Sequence, residues 1–237
     1  MSSSSSRPCS VIPVIDLLAG AVVRAVRGDR RHYKPVVSAL CEGSAPVTVA
    51  QALLAHTRSA RLYAADLDAL QGGTAQLATL RELLQALPGL QELWLDAGFA
   101  NAAGARALCD ALGADAARVR PVFGSESLAS REALAACFAD GQAALSLDRR
   151  DGQRLDAAGC WDAPALWPQR VIVMTLERVG SDAGPDLATI AEVRRKARPG
   201  TVVVGAGGVR DAADLGAAAQ AGADAWLVAS ALHDRRL

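Results

Sequence analysis

VIPVID, residues Val11–Asp16, is apolar on both of its alternating faces and stops on a carboxylate. A strand with one solvated face alternates apolar and polar residues. A run without that alternation belongs in a sheet covered on both sides, as parallel sheets are. Seven further short runs rich in Val, Ile and Leu read the same way: Arg61–Asp66, Glu92–Asp96, Val119–Phe123, Ala143–Asp148, Val171–Thr175, Thr201–Gly205 and Asp224–Ala229. Alanine- and leucine-rich stretches of helical period separate them, at Thr48–Ser59, Thr74–Leu87, Asn101–Leu112, Ser127–Asp140, Pro185–Ala197 and Ala212–Ala221, with Asn101 and Ser127 placed as N-caps. Repeated β-then-α order demands right-handed crossovers and a parallel sheet. Eight such units in 237 residues predict an α/β fold, a single (β/α)8 TIM barrel, with an open doubly wound sheet as the alternative.

Two connections are long. Gly20–Val47 contains GDRRHYKP and is polar enough to form an active-site flap; Arg149–Gln169 contains RRDG and two tryptophans, Trp161 and Trp167, expected to pack the loop. Each follows a strand that ends in aspartate. The pattern predicts two pseudo-symmetric halves of four units, with Asp16 corresponding to Asp148.

Lys plus Arg total 25 and Asp plus Glu total 25, so no charged field points to a nucleic acid or to a cationic partner. Five cysteines without C-x-x-C spacing read as reduced thiols of a cytoplasmic protein, with Cys109 and Cys137 filling core. MSSSSSRPC, residues 1–9, lacks the order of a signal peptide and reads as a disordered tail ahead of a barrel domain over 10–237. No apolar stretch reaches the roughly 18 residues of a membrane span. The segment after the eighth strand, Ala231–Leu237, has room for about two helical turns, which leaves an edge for a second subunit and points to a homodimer.

Asp16, Asp66, Asp96 and Asp148 fall at strand carboxyl ends, the rim where barrel enzymes place chemistry. Asp66 and Asp96 read as caps or loop braces. Asp16 and Asp148, in corresponding places of opposite halves, read as a facing pair able to divide acid and base work. GAGGVR (Gly205–Arg210) after the seventh strand and Ala229-Ser230 after the eighth form the expected phosphate cup: glycines let backbone N–H groups approach an oxyanion. The candidate ligands there are Gly207, Gly208, Arg210, Ala229 and Ser230. Gly98, Gly124 and Ser125 form a weaker counterpart after the third and fourth strands. His32, in the flap, is a candidate substrate contact; His56 and His233 read as surface residues. No histidine pair has metal-ligand spacing, and no Walker, G-x-S-x-G or zinc pattern is present.

These residues resemble the HisA/HisF family of histidine biosynthesis over nearly the whole chain after residue 10. IPVIDLLAGAVVRAVRGD (Ile12–Asp29) is similar to its opening motif, SLDRRDG (Ser146–Gly152) to its fifth-strand motif, and GAGGVRD and VASAL to its phosphate motifs. The resemblance implies Asp16 and Asp148 as catalytic aspartates, Thr175 as the active-site threonine, and an Amadori-type aldose–ketose rearrangement without metal or redox cofactor. Asp148 would protonate the ribose ring oxygen and Asp16 would remove the C2 proton. The family's G-G-G-I-R after strand three is replaced by Asp96-Ala97-Gly98-Phe99-Ala100, and its D-G-T after strand six by Val179-Gly180-Ser181. YKPVVS (Tyr33–Ser38) resembles a HisA-related subgroup of methanogens and methylotrophic bacteria, which implies a place in tetrahydromethanopterin-type cofactor synthesis. The implied substrate is a phosphorylated sugar with one phosphate, a phosphoribosyl amine. A cyclase or lyase on the same scaffold and a non-catalytic sugar-phosphate binder are the alternatives.

Overall fold

The computed structural model describes residues 8–26, 32–138 and 141–237. Residues 1–7 of the serine-rich tail, 27–31 of the expected flap and the last two residues of the expected Ser127–Asp140 helix lie outside these. The strands are β1 (Ser10–Leu18), β2 (Ala21–Arg24), β3 (Lys34–Pro35), β4 (Arg61–Asp66), β5 (Glu92–Asp96), β6 (Val119–Gly124), β7 (Ala144–Arg150), β8 (Gln153–Arg154), β9 (Arg170–Thr175), β10 (Val202–Ala206) and β11 (Ala225–Val228). Among the described residues, eight of them, β1, β4, β5, β6, β7, β9, β10 and β11, pair in parallel in that order. β11 returns to β1 with Ile12 opposite Leu227, so the sheet is a closed barrel. Among the described residues the α-helices are α1 (Pro46–Thr57), α2 (Leu67–Leu70), α3 (Leu77–Ala86), α4 (Ala102–Leu112), α5 (Arg131–Cys137), α6 (Leu187–Lys196) and α7 (Ala212–Ala221), which lie between strands, and α8 (Ser230–His233), which follows β11.

The two long connections behave alike. After β1 the chain turns back as antiparallel β2, pairing Asp16 with Val23, and β3 adds to it. After β7 it turns back as antiparallel β8, pairing Arg149 with Arg154. Trp161 and Trp167 are both buried, and the Trp167 indole N–H donates to the Cys160 carbonyl at 2.8 Å. Both rings therefore pack the second connection.

Local chemistry sets the helix starts. Asn101 Oδ1 accepts from the Gly104 amide at 3.1 Å, and Asp211 Oδ1 accepts from Ala213 and Asp214. The α5 cap is Ser130, whose Oγ accepts from the Ala133 amide at 3.2 Å, rather than the expected Ser127. The Ser127 and Leu128 amides both bond the Gly124 carbonyl, which holds that segment in a turn.

Alternate strand residues fill two separate cores. Ile12, Tyr63, Trp94, Val122, Ala144, Ile172, Val204 and Ala225 point into the barrel. Ile15, Leu17, Leu62, Leu93, Leu145, Val171, Val203 and Trp226 point out to the helices. At the amino-terminal end Glu92 ties Arg120 (3.3 Å) and Arg170 (3.4 Å) together and accepts from the Trp94 indole (3.0 Å). Burial works against the Glu92 charge, but the Trp94 N–H and the two guanidinium groups outweigh it and hold the carboxyl below its ordinary range.

On the outer face of β10, Gly205 lies flat under Trp226: a Cβ there would stand 2.1 Å from Trp226 Cζ3. A side chain at this place must displace a buried indole. Gly205→Val is expected to destabilise the protein by about 1–3 kcal/mol or more, measured as a lowered midpoint in urea. An unchanged midpoint would show that the indole is free to move.

Candidate active site

The inward parity of the barrel brings three carboxylates to its carboxyl-terminal mouth. Asp16 on β1, Asp96 on β5 and Asp148 on β7 all line one cavity. Tyr63, on β4 between β1 and β5, reports their convergence. Its hydroxyl donates to Asp96 Oδ2 at 3.1 Å. Its ionisation is pushed well above the ordinary phenol range, first by burial and then by the charges of Asp96, Asp148 and Asp16. A single phenol that feels all three carboxylates stands among them.

Asp148 is held through both carboxylate oxygens. Its Oδ1 accepts from Ser146 Oγ at 2.5 Å, and its Oδ2 accepts from the Glu126 amide at 3.2 Å. Its own amide donates to Ser125 Oγ at 2.8 Å. Burial raises the Asp148 pKa well above the usual carboxylate range. The Glu126 and Asp96 charges push the same way, against the hydrogen bonds from Ser146 and Glu126. Gly124 leaves room for this side chain, since a Cβ there would lie 2.9 Å from Asp148 Oδ2.

The backbone register shows how the halves correspond. Asp16 pairs with Ala65, Ala65 with Asp96, and Asp96 with Val122. In the second half Asp148 pairs with Met174, Met174 with Ala206, and Ala206 with Leu227. Asp16 therefore matches Asp148, Asp66 matches Thr175, Asp96 matches Ala206 and Gly98 matches Gly208.

Gly207, Gly208, Ala229 and Ser230 line the cavity beside Ala206. Gly207 and Gly208 both have positive φ, +85° and +83°, and a Cβ on Gly208 would lie 2.1 Å from the Gly184 carbonyl oxygen. This close approach requires glycine at position 208. Arg210 does not line the cavity: its guanidinium is held by both oxygens of Asp214 at 2.8 and 2.9 Å.

The counterpart in the first half is built differently. Asp96 stands where Ala206 stands, and its Oδ1 accepts from the Gly98 amide at 3.1 Å. Gly98 itself packs on α2, with a Cβ position 3.2 Å from Leu70 Cα. Ser125 is fully buried, and its Oγ donates to the Leu155 carbonyl at 2.7 Å. Gly98, Gly124 and Ser125 thus brace Asp96 and Asp148 in positions where they were expected to meet a phosphate.

Thr175 is out of phase with the cavity. It lies one residue beyond inward-facing Met174, and its Oγ1 donates to Asp186 Oδ2 at 3.2 Å. Asp66 has the same parity and braces in the same way, accepting from the Ala69 and Gln76 amides at 3.2 and 2.7 Å. His233 corrects the surface reading. It is buried, lines the cavity and shares a 3.0 Å hydrogen bond between Nδ1 and Ser38 Oγ. Tyr63, Glu126, Arg150 and His233 also line the cavity and were not among the expected site residues. Tyr63 was within reach, because it shares the parity of Asp16 across the parallel register. Among the described residues no group of three or more His, Cys, Asp or Glu is arranged to hold a metal ion.

A family model described as "Histidine biosynthesis protein" matches residues 10–237. The chain belongs to that family. It is also similar to a protein of Methanocaldococcus jannaschii named "Uncharacterized protein MJ0703", 28% identical over 231 residues that cover 94% of this chain and 92% of that one. Family membership supports an enzyme of isomerase or cyclase type on a TIM barrel. Among the described residues no helix is long and apolar enough to cross a membrane.

Burial, then the Arg24 charge, lower the His233 pKa from 6.5 to about 4, against the opposing pull of Asp234. The unfolded chain takes up a proton near 6.5 that the folded chain refuses until about 4. Stability contributed by neutral His233 is therefore full above 6.5 and lost as pH falls through that window. His233→Asn is expected to flatten the decline of melting temperature with pH across this interval. An identical decline in both proteins would assign the acid sensitivity elsewhere.

Proposed function

We propose that the chain catalyses an Amadori-type aldose–ketose rearrangement of a phosphoribosyl-amine type substrate, with Asp148 as general acid and Asp16 as general base. The observation that carries this reading is a carboxyl group driven toward its protonated form, facing the same cavity as a second aspartate from the opposite half of the barrel. Environments that separate the pKa values of two carboxyls divide acid from base work.

Asp148 delivers its proton to the ribose ring oxygen. The C1–O bond breaks, the ring opens, and the nitrogen lone pair forms an iminium with C1. Asp16 then takes the proton from C2, leaving an enolamine. Protonation at C1 and loss of the enol proton give the 1-amino-1-deoxy ketose, an isomer of the starting compound. The phosphate sits against Gly207, Gly208 and Ser230. The tightly approached backbone there, with two positive-φ glycines, supports that assignment. Thr175 acts at a distance, by holding Asp186 and through it the start of α6.

A single phosphate fits the residues better than two, because Asp96 occupies the matching place in the first half and engages the Gly98 amide. That departure favours a substrate other than the histidine intermediate. The similarity of Tyr33–Ser38 to the methanogen and methylotroph subgroup favours a step in tetrahydromethanopterin-type cofactor synthesis. The free cysteines suit a cytoplasmic enzyme.

Incubation of an N-aryl ribosylamine 5-phosphate with the protein in D2O tests the reading by NMR. The expected product is the ketose, deuterated at C1. Asp16→Asn and Asp148→Asn are each expected to lower turnover by about 100- to 10,000-fold. The turnover number of the wild type should fall as pH rises through the raised Asp148 pKa, because the acid form is then lost. Asp148→Asn, which resembles the protonated carboxyl, should keep or raise the melting temperature at pH 7. Full turnover in either variant would remove the assignment.

A further inference from the structure

The rearrangement proposed above leaves one proton without a receiver. Asp148 gives a proton to the ring oxygen and Asp16 takes the one on C2, but the proton of the C2 hydroxyl must also leave before the ketose forms. A third carboxylate faces the same space. Asp96 is buried, lines the cavity and stands level with Asp16 across β4, where Asp16 pairs with Ala65 and Ala65 with Asp96. Adjacent strands lie about 4.8 Å apart, so the two side chains flank a slot two strand spacings wide. The middle of that slot carries only the methyl group of Ala65, whereas the matching position of the second half carries Met174.

Asp96 is oriented as an acceptor. The Tyr63 hydroxyl donates to its Oδ2 and the Gly98 amide to its Oδ1, both at 3.1 Å. Tyr63 lies two residues before Ala65 on β4, with the same inward parity, and also lines the cavity. It keeps its proton for this bond, because burial and the surrounding carboxylates push its ionisation well above the ordinary phenol range. A carboxylate turned into an enclosed space is costly. Here a phenol and an amide hold it at the edge of a slot that it shares with Asp16.

We propose that Asp96 is a catalytic residue that accepts the proton of the substrate's C2 hydroxyl, with Tyr63 as its positioning residue. This rests on the aldose–ketose reading of the same cavity. With C2 seated over Ala65, Asp16 faces the C2 hydrogen and Asp96 faces the C2 hydroxyl. Once Asp16 has taken the C2 proton, the enolamine can collapse in two directions. Push from nitrogen returns a proton to C2 and leads back to the aldose. Push from oxygen brings a proton to C1 and gives the ketose: the O–H bond breaks toward Asp96, its electrons form the C2=O bond, and the C1=C2 pair takes the proton. The protons balance, since Asp148 gives one to the ring oxygen, Asp96 receives one from the C2 oxygen, and exchange with solvent resets both.

NMR in D2O on the full chain, with an N-aryl ribosylamine 5-phosphate as probe, reads this partition as deuterium entering C2 of the unreacted aldose against ketose formed. Asp96→Asn is expected to lower ketose formation by about 100-fold while C2 exchange falls far less, so that the ratio of exchange to product rises about 10-fold or more. Tyr63→Phe, which removes one hydrogen bond to a charged group, should raise the same ratio by up to about 10-fold. Asp16→Asn should lose exchange and product together. A merely structural role for Asp96 would lower both in proportion. A ratio in Asp96→Asn equal to that of the wild type would therefore overturn the proposal, as would an unchanged ratio in Tyr63→Phe should Asp96→Asn fail to fold. A wild-type protein that neither exchanges nor converts the probe would instead contradict the aldose–ketose reading itself, and the role of Asp96 would fall with it.

Discussion

In a closed ring of parallel strands, side chains alternate between a sealed interior and a shell of helices, and a shift of one residue exchanges the two. The strand residues of the cavity follow from that constraint. Asp16, Asp96 and Asp148 share the inward phase and meet around Tyr63. Asp66 and Thr175, one residue out of phase, are turned to the shell, where Asp66 meets backbone amides and Thr175 meets Asp186. Burial penalises a charged carboxylate, and the repulsion of neighbouring carboxylates adds to the penalty. Asp148, with Glu126 and Asp96 beside it, bears that penalty as a raised pKa. The proposed division of acid and base work is a direct consequence of where alternation places these side chains.

The two halves share one frame and fill it differently. Both begin with a strand that carries its aspartate two residues before its end, Asp16 before Leu18 and Asp148 before Arg150, and then folds back as an antiparallel ribbon, β2 in one half and β8 in the other. Both carry a brace at the end of the next strand. They diverge one strand later. In the second half Ala206, Gly207 and Gly208 leave backbone against the cavity; in the first half Asp96 fills the matching space and consumes the Gly98 amide. One small-to-acidic difference thus puts a carboxylate where the second half leaves backbone against the cavity.

The barrel itself was legible because its signal is carried by whole segments. Unbroken apolar runs mark strands buried on both faces, and β4 and β5 begin and end where the sequence places them. The pairing of Asp16 with Asp148 was legible for a related reason, since the two long polar connections follow matching strands. Phase and contact were harder to read. Thr175 reads as a site residue by motif, but a one-residue offset at the end of β9 carries it to the outer layer. Arg210 reads as a phosphate ligand until its i,i+4 partner Asp214 is considered. Gly124 and Ser125 look like an anion turn because the sequence does not show that Asp148 needs their space and their hydroxyl. His233 reads as a surface residue near the end of the chain, yet its contact with Ser38 spans most of the sequence and could not be inferred locally.

The most direct test of this account is the titration of the Asp148 carboxyl in the unliganded protein. Carbon-13 NMR of the aspartate side chains, with Asp148→Asn identifying the resonance, reads that ionisation without any substrate. The expected result is a carboxyl that stays protonated well above the usual carboxylate range and loses its proton more readily when Glu126 is changed to Gln. An Asp148 carboxyl ionised in the ordinary range, and indifferent to Glu126, would contradict the claim that this cavity holds one of its aspartates as an acid.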